Sequence, residues 1–258
     1  MRKLGFIGTG AITSAIVTGL NSPTDAGYAI RISPRNPEVA SDLAARFPAV
    51  SIAASNQEVL DWCDTAVIAV RPQIVREVLA ELSFRPDHHV ISLVSGLPVR
   101  QISPLVSPAL RIARAVPLPS TAKRRGPTGV FPADRDTMEL FAKLGTAIAA
   151  ETETEFDVIC AATATLASYF AFAGAVASWL EGNGIPAANA REYVGMMFAG
   201  LAGAAVDAPE LSFDALARDH ATRGGINEQV LARLSARGVF TALSDELDAV
   251  LRRITQKA

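Results

Sequence analysis

Residues Leu4 to Ile7 form an apolar run that passes without interruption into Gly8-Thr9-Gly10, and Ala11–Leu20 then has the length and composition of a helix. A strand that turns through Gly-x-Gly into a helix commits the start of the chain to a parallel crossover unit. Gly8 permits the tight turn and Gly10 leaves the backbone open to close approach by a pyrophosphate. Thr9, Ala11 and Ile12 place backbone N–H groups at the helix start, where the partial positive charge favours an anion. The third glycine of the usual pattern is replaced by Thr13. A plain tight turn is the alternative reading, but the motif lies at the first strand-to-helix turn, where a dinucleotide binds.

The same alternation continues downstream. Ala29–Ile32, Val50–Ile52, Thr65–Val70, His89–Val94 and Leu110–Val116 read as strands, separated by helix-length stretches such as Pro37–Phe47 and Pro72–Leu82. Gly129–Phe131 and Thr146–Ala150 flank a helix from about Asp134 to Leu144 and extend the same sheet. Strands alternating with helices imply right-handed crossovers and a doubly wound, mainly parallel sheet of the Rossmann type. From Glu151 the β-branched runs vanish and Ala-rich helical stretches take over, at about 155–181, 187–206, 213–219, 225–237 and 240–254. Gly182-Asn183-Gly184-Ile185-Pro186 stops one helix and restarts the next. The expected class is α/β, with a Rossmann-type domain at 1–151 joined directly to an all-helical domain at 152–258.

Composition narrows the function. A net charge of −2 and a sequence pI near 6.0 provide no basic surface for nucleic acid. Cys63 and Cys160 lie in apolar surroundings without CxxC spacing and read as buried, reduced thiols. The N-terminus lacks the hydrophobic run of a signal peptide, so the cytoplasm is the expected compartment. Val158–Leu180 approaches the roughly 20 residues of a membrane span, but its Ala and Thr content reads as a helix buried in a soluble domain or dimer. The chain has 3 histidines. His88 and His89 precede a strand and read as surface residues, His220 reads as a helix-end residue, and no ligand spacing for a metal is present.

Cofactor choice is made at the end of the second strand, where NAD-binding chains carry an acid for the ribose hydroxyls. Here Arg31-Ile32-Ser33-Pro34-Arg35-Asn36 contains none. Arg35 can pair with a 2′-phosphate while Ser33 and Asn36 donate hydrogen bonds, which favours NADPH over NADH; a solvated surface arginine is the other reading. The loops Val70-Arg71-Pro72 and Ser95-Gly96 end the fourth and fifth strands on the same sheet edge and are expected to flank the nicotinamide.

Taken together, Phe6–Leu20, Ala69-Val70-Arg71-Pro72-Gln73, Ile91–Leu97, Arg111–Gly126 and Ala221–Asn227 resemble the pyrroline-5-carboxylate reductase family over nearly the full length of the chain. The resemblance implies hydride transfer from NADPH to a cyclic imine carboxylate, a helical dimerisation domain, and a homodimer or higher homo-oligomer. It places the substrate carboxylate at Thr222, Arg223, Gly224, Gly225 and Asn227, with Asn227 and Tyr169 as candidate catalytic residues. The chain departs from the family where a P-N-T-P stretch reads Pro117-Leu118-Pro119-Ser120. It departs again where S-G-S-G-P-A-Y reads Thr163-Ala164-Thr165-Leu166-Ala167-Ser168-Tyr169, and where the last threonine of the Gly-Gly loop is Asn227. These changes make the pocket more apolar and keep two alternatives open: reduction of another imine or carbonyl, and a nucleotide-binding regulatory module without catalysis. Of the 4 lysines, none lies between Lys143 and Lys257, which argues against the lysine-dependent hydroxyacid dehydrogenases.

Overall fold

The computed structural model describes residues 1–22 and 27–256, so Lys257 lies outside the described residues. The chain divides into one unit made of Met1–Ala161 with Leu251–Ala258 and a second, Ala162–Val250. In the first unit eight strands form one sheet: β1 (Arg2–Ile7), β2 (Tyr28–Ile32), β3 (Val50–Ile52), β4 (Thr65–Ile68), β5 (His89–Ser92), β6 (Arg111–Pro117), β7 (Pro127–Phe131) and β8 (Thr146–Ala149). Their spatial order is β3-β2-β1-β4-β5-β6-β7-β8. The first six run parallel; β7 is antiparallel to β6 and parallel to β8. The order reverses between β1 and β4, and a doubly wound sheet opens its ligand crevice at that point.

The helices of this unit are α1 (Ala11–Leu20), α2 (Pro37–Arg46), α3 (Asn56–Trp62), α4 (Val75–Ala80), α5 (Val99–Ile102), α6 (Arg135–Ala142) and α7 (Glu153–Ala162). Side chains alternate across β1. Leu4 and Phe6 join a core with Ile16, Leu20, Ile30, Leu43 and Phe141, whereas Ile7 joins another with Leu60, Ile68, Val78, Leu79 and Val90. Each such side chain is worth about 1.5–3 kcal/mol when fully buried, so the two cores hold the sheet from both faces. Burial on both faces also explains why the parallel strands read as continuous apolar runs. Strand β4 ends two residues earlier than expected, at Ile68, and the helix expected at Pro72–Leu82 is confined to Val75–Ala80. Ala69 to Ile74 is therefore loop, and the extra length lies on the crevice edge.

The second unit contains α8 (Thr165–Gly182), α9 (Ala187–Asp207), α10 (Phe213–His220), α11 (Ile226–Ala236) and most of α12 (Val239–Gln256). The single helix expected over 155–181 is two helices, broken at Thr163-Ala164. Together Glu153–Gly182 is long and apolar enough to cross a membrane by length and composition alone. The rings of Phe172 and Phe198 join α8 to α9 edge to face, 5.9 Å apart. The expectation that this apolar stretch is buried inside a domain does not hold within one chain: no residue of α8 is buried, and Phe170, Trp179 and Met196 are more than 60% exposed.

Both histidines expected at the surface are interior instead, with His88 1% and His89 3% exposed. His88 accepts the Arg85 amide at Nδ1, 3.0 Å, and Nε2 lies 3.0 Å from the Leu60 carbonyl. That pattern is satisfied by the neutral ring with its proton on Nε2. Burial, then the nearby Arg85 charge, pushes the ring below its ordinary value of 6.5. The unfolded chain binds that proton more readily, so the stability His88 confers is complete above about pH 6.5 and is lost as pH falls further. Melting curves are expected to show Tm falling from pH 7 to pH 5, with a shallower slope in His88→Gln; equal slopes would exclude His88 as the cause.

His89 approaches Asp134 Oδ2 at 3.3 Å, and Asp134 also caps α6 through the amides of Asp136 and Thr137. Burial opposes ionisation of Asp134, but hydrogen bonds from His89 and Thr137 win and hold its carboxyl far below the usual range. His89, Asp134 and Asp136 bring three ligand-type atoms within 4.8 Å of one another. Arg111 bonds Asp136 at 2.6 Å, so the cluster is neutralised by side chains of the chain itself. Cys63 and Cys160 are buried thiols outside any disulfide, and burial pushes both up to about 12, which leaves them unreactive.

Candidate cofactor and substrate site

The turn after β1 is braced from the side by the end of β2. The Gly8 N–H donates to Ser33 Oγ at 3.0 Å, Thr9 Oγ1 donates to the Ser33 carbonyl at 2.6 Å, and Thr13 Oγ1 donates back to the Gly8 carbonyl at 2.7 Å. Thr13 is fully buried, so the residue that replaces the third glycine closes the turn with a hydroxyl. Gly8 has φ +103° and a Cβ there would lie 2.5 Å from the Ala69 carbonyl oxygen. Gly10 is the opposite case, because a Cβ on it meets nothing within 4 Å. Gly10 caps α1 without a side-chain bond, and the first turn, beginning with Ala11 and Ile12, has no acid. The helix start is therefore an open set of amides suited to a diphosphate.

Of the three residues assigned to the ribose end, Ser33 is placed differently from the expectation. It is fully buried and its hydroxyl is committed to the turn, so it braces the loop and does not reach outward. Arg35 and Asn36 are exposed beyond it, and Arg35 has no carboxylate partner among the described residues. The next two loops lie on the same sheet edge. The Ala69 N–H bonds the Ile7 carbonyl at 2.8 Å and the Leu93 N–H bonds the Ile68 carbonyl at 2.9 Å, which tethers both loops to the ends of β1 and β4. Val70 is half-buried, Arg71 and Pro72 are exposed, and Ser95 is exposed beside Gly96 at φ +67°. A cavity of about 440 Å³ opens here, lined by Pro72, Gln73, Arg76, Ser95, Gly96 and Gln101 among others.

The second unit carries the residues expected to meet the substrate. Thr222, Arg223 and Gly224 are exposed, with Gly224 at φ +75° and Gly225 capping α11. The loop is closed on itself by the Gly225 N–H to the Thr222 carbonyl at 2.8 Å and by Asn227 Nδ2 to the His220 carbonyl at 2.9 Å. Asn227 thus ties the two ends of the loop together. The Gly224 N–H, expected to face an anion, already donates to Glu228 Oε2 at 2.6 Å. Glu228 was missed from sequence; its signal is an acid reaching back from the first turn of a helix to an amide ahead of the cap. Tyr169, on α8, is half-exposed, and its ring stands edge to face with Phe170 and Phe198 at 5.2 and 5.9 Å. A cavity of about 510 Å³ in this unit is lined by Tyr169, Phe170, Ala173, Arg191 and Phe198, among others.

Comparison with known proteins gives two family matches. Residues 3–96 match the family described as NADP oxidoreductase coenzyme F420-dependent, and residues 153–257 match pyrroline-5-carboxylate reductase dimerisation. A pyrroline-5-carboxylate reductase from Pseudomonas aeruginosa is 23% identical over 65% of this chain and 64% of its own length. The chain spans 43% to 64% of the length of three such curated relatives and 96% of a fourth, from Vibrio alginolyticus. Among solved structures, the Streptococcus pyogenes 1-pyrroline-5-carboxylate reductase superposes with a TM-score of 0.85 at 23% identity, covering 98% of both chains. The Plasmodium falciparum pyrroline carboxylate reductase with NADP bound gives 0.81 at 19% identity, covering 99% of this chain and 98% of that one. At these identities the structural likeness establishes the fold alone, a Rossmann-type α/β domain followed by an all-helical domain; it is the two family matches that make the first a nicotinamide-cofactor domain and the second a dimerisation domain.

Proposed function

We propose that this chain, which belongs to the pyrroline-5-carboxylate reductase family, is an NADPH-dependent reductase that converts pyrroline-5-carboxylate to proline as a homodimer or higher homo-oligomer in the cytoplasm. The observation that carries the cofactor half is the open turn at Gly8–Gly10 beside an exposed Arg35 with no acid at the end of β2. The residues present fit the group. The amides at the start of α1 hold the diphosphate and Arg35 pairs with the 2′-phosphate, while Val70–Pro72 and Ser95–Gly96 flank the nicotinamide. When bound, the cofactor supplies a hydride to the electrophilic carbon of the substrate. Residues 1–151 serve the cofactor and residues 152–258 the substrate and the subunit contact.

In the same reading, Thr222, Arg223, Gly224, Gly225 and Asn227 hold the substrate carboxylate once Glu228 leaves the Gly224 amide, and Tyr169 stands beside the reacting ring. An imine that arrives protonated needs only orientation and exclusion of water from the protein, which suits a site poor in strong acids. The exposed aromatic residues of α8 and α9 are the surface that a second copy covers. Retention of the Glu228 contact on Gly224 favours a second reading, in which the protein binds NADPH but turns over a different substrate or none.

Purified protein with NADPH and racemic pyrroline-5-carboxylate is expected to lose nicotinamide absorbance and yield proline. Tight NADPH binding without turnover on a panel of imines and ketoacids would favour the second reading. For the cofactor, Arg35→Ala is expected to weaken NADPH by about 1.5–3 kcal/mol, the value of a hydrogen bond to a charged group, and to leave NADH nearly unchanged. Equal losses for both cofactors in a fluorescence titration would rule out pairing of Arg35 with the 2′-phosphate.

A further inference from the structure

Arg114, on β6, is only 1% exposed and packs against α7. Its Nη1 lies 2.9 Å from Glu153 Oε1, its Nη2 2.9 Å from Asp157 Oδ1, and its guanidinium carbon 4.4 Å from the ring centroid of Phe156. The Asp157 contact is an ion pair without hydrogen-bond alignment, and Arg114 Nε has no hydrogen-bond partner. A buried charge cluster of this kind adds little net stability over a well-packed apolar one, so its place in the core calls for another role. The geometry supplies one. Glu153 Oε1, the same oxygen that accepts from Arg114, also accepts the Val99 N–H at 2.7 Å.

Val99 is the first residue of α5, and Pro98 ahead of it provides no side-chain cap. Glu153 therefore supplies from α7 the acceptor that this helix start lacks. The turn so anchored is Ser95-Gly96-Leu97-Pro98, whose first two residues line the cavity of about 440 Å³ and whose last two are buried. We propose that Glu153, held in place by Arg114, is a positioning residue that sets the Ser95–Gly96 turn against the nicotinamide. α7 is also the helix that leads into the second unit at Ala162, so the same strut ties the cofactor loop to that helix. The nicotinamide half of this inference rests on the cofactor reading above; the anchoring half rests on the geometry alone.

Two readouts on the full-length protein test it. In wild type, Glu153→Ala, Glu153→Gln and Asp157→Asn, amide hydrogen exchange is followed over residues 94–101 and the NADPH Kd is measured by fluorescence. Glu153→Ala is expected to speed exchange at Val99 and raise the Kd, each by about tenfold, the effect of losing one charge-assisted hydrogen bond. Glu153→Gln retains an acceptor oxygen and is expected to fall between Ala and wild type. Asp157→Asn touches Arg114 but not the turn, so it is expected to lower Tm; because Asp157 and Glu153 share Arg114, the two sites are coupled, and exchange over 94–101 and the Kd are expected to change in the same direction as in Glu153→Ala but clearly less. Unchanged exchange in both Glu153 variants, or equal disturbance of the turn by Asp157→Asn, overturns the proposal. If wild type does not bind NADPH, the cofactor reading fails by itself and the exchange data still decide whether Glu153 anchors the turn.

Discussion

Gly8→Ala is expected to destabilise the first unit and to abolish measurable dinucleotide binding, whereas Gly10→Ala is expected to keep the wild-type Tm and lose affinity only. The two glycines stand two residues apart in one turn, but their backbones make different demands. At Gly8, φ is +103° and the added methyl meets the Ala69 backbone carbonyl at 2.5 Å, an atom pinned at the end of β4 by its neighbouring ladder. A non-glycine residue in such a conformation costs about 1–3 kcal/mol before the clash is counted. Relief requires β1 and β4 to separate at the crevice. At Gly10, φ is −104° and the methyl projects into open space, so the fold is indifferent and only an approaching diphosphate meets it. Thermal melts and NADPH titrations of both variants separate the two effects. A Gly8→Ala protein with unchanged Tm would refute the structural half of this contrast.

Arg114→Met is expected to cost about 3–5 kcal/mol, the range seen when one partner of a buried ion pair is removed and the other left behind. Methionine retains the volume packed against Phe156, so the loss reports charge more than cavity. Glu153 and Asp157 are 28% and 12% exposed at their side chains, which lets water reach the first more readily and places the outcome toward the lower end. Adding Asp157→Leu to Arg114→Met is expected to recover part of the loss, because the more deeply buried orphan carboxylate is then gone. Denaturant titration of the single and double variants checks this; a double variant less stable than Arg114→Met alone would contradict it.

The parallel sheet was legible because strands buried on both faces leave uninterrupted apolar runs, and because Gly8-x-Gly10 marks the switch from period two to helical period. What stayed hidden has a common physical cause. His88, His89, Ser33 and Arg114 are polar residues whose burial depends on partners far along the chain: Leu60 for His88, Asp134 for His89, Gly8 for Ser33, and Glu153 with Asp157 for Arg114. No local pattern announces such pairings, so the two histidines read as surface residues, Ser33 as a ribose ligand, and nothing marks Arg114 within its strand. The reverse error occurred on α8, where apolar composition reads as interior but no residue of the helix is buried within the chain. At the Thr222–Asn227 loop, the two glycines and Asn227 stood out only through the family resemblance, as a carboxylate-binding set, while the acid that closes the loop was overlooked because it lies inside the helix.

That acid has a consequence for ligand recognition. With Glu228 Oε2 seated on the Gly224 amide at 2.6 Å, the loop already holds a carboxylate, so the substrate carboxylate of the proposed function would meet an occupied docking point. The contact is solvent-exposed, and hydrogen bonds of this kind are worth about 0.5–1.5 kcal/mol. On that reading only the fraction of molecules with Glu228 swung away is competent, and the apparent dissociation constant rises by the inverse of that fraction, about three- to fourteenfold. A built-in competitor of this strength acts as a filter. A weak or poorly oriented carboxylate fails to displace it, and a ligand that also engages Arg223 or Asn227 succeeds.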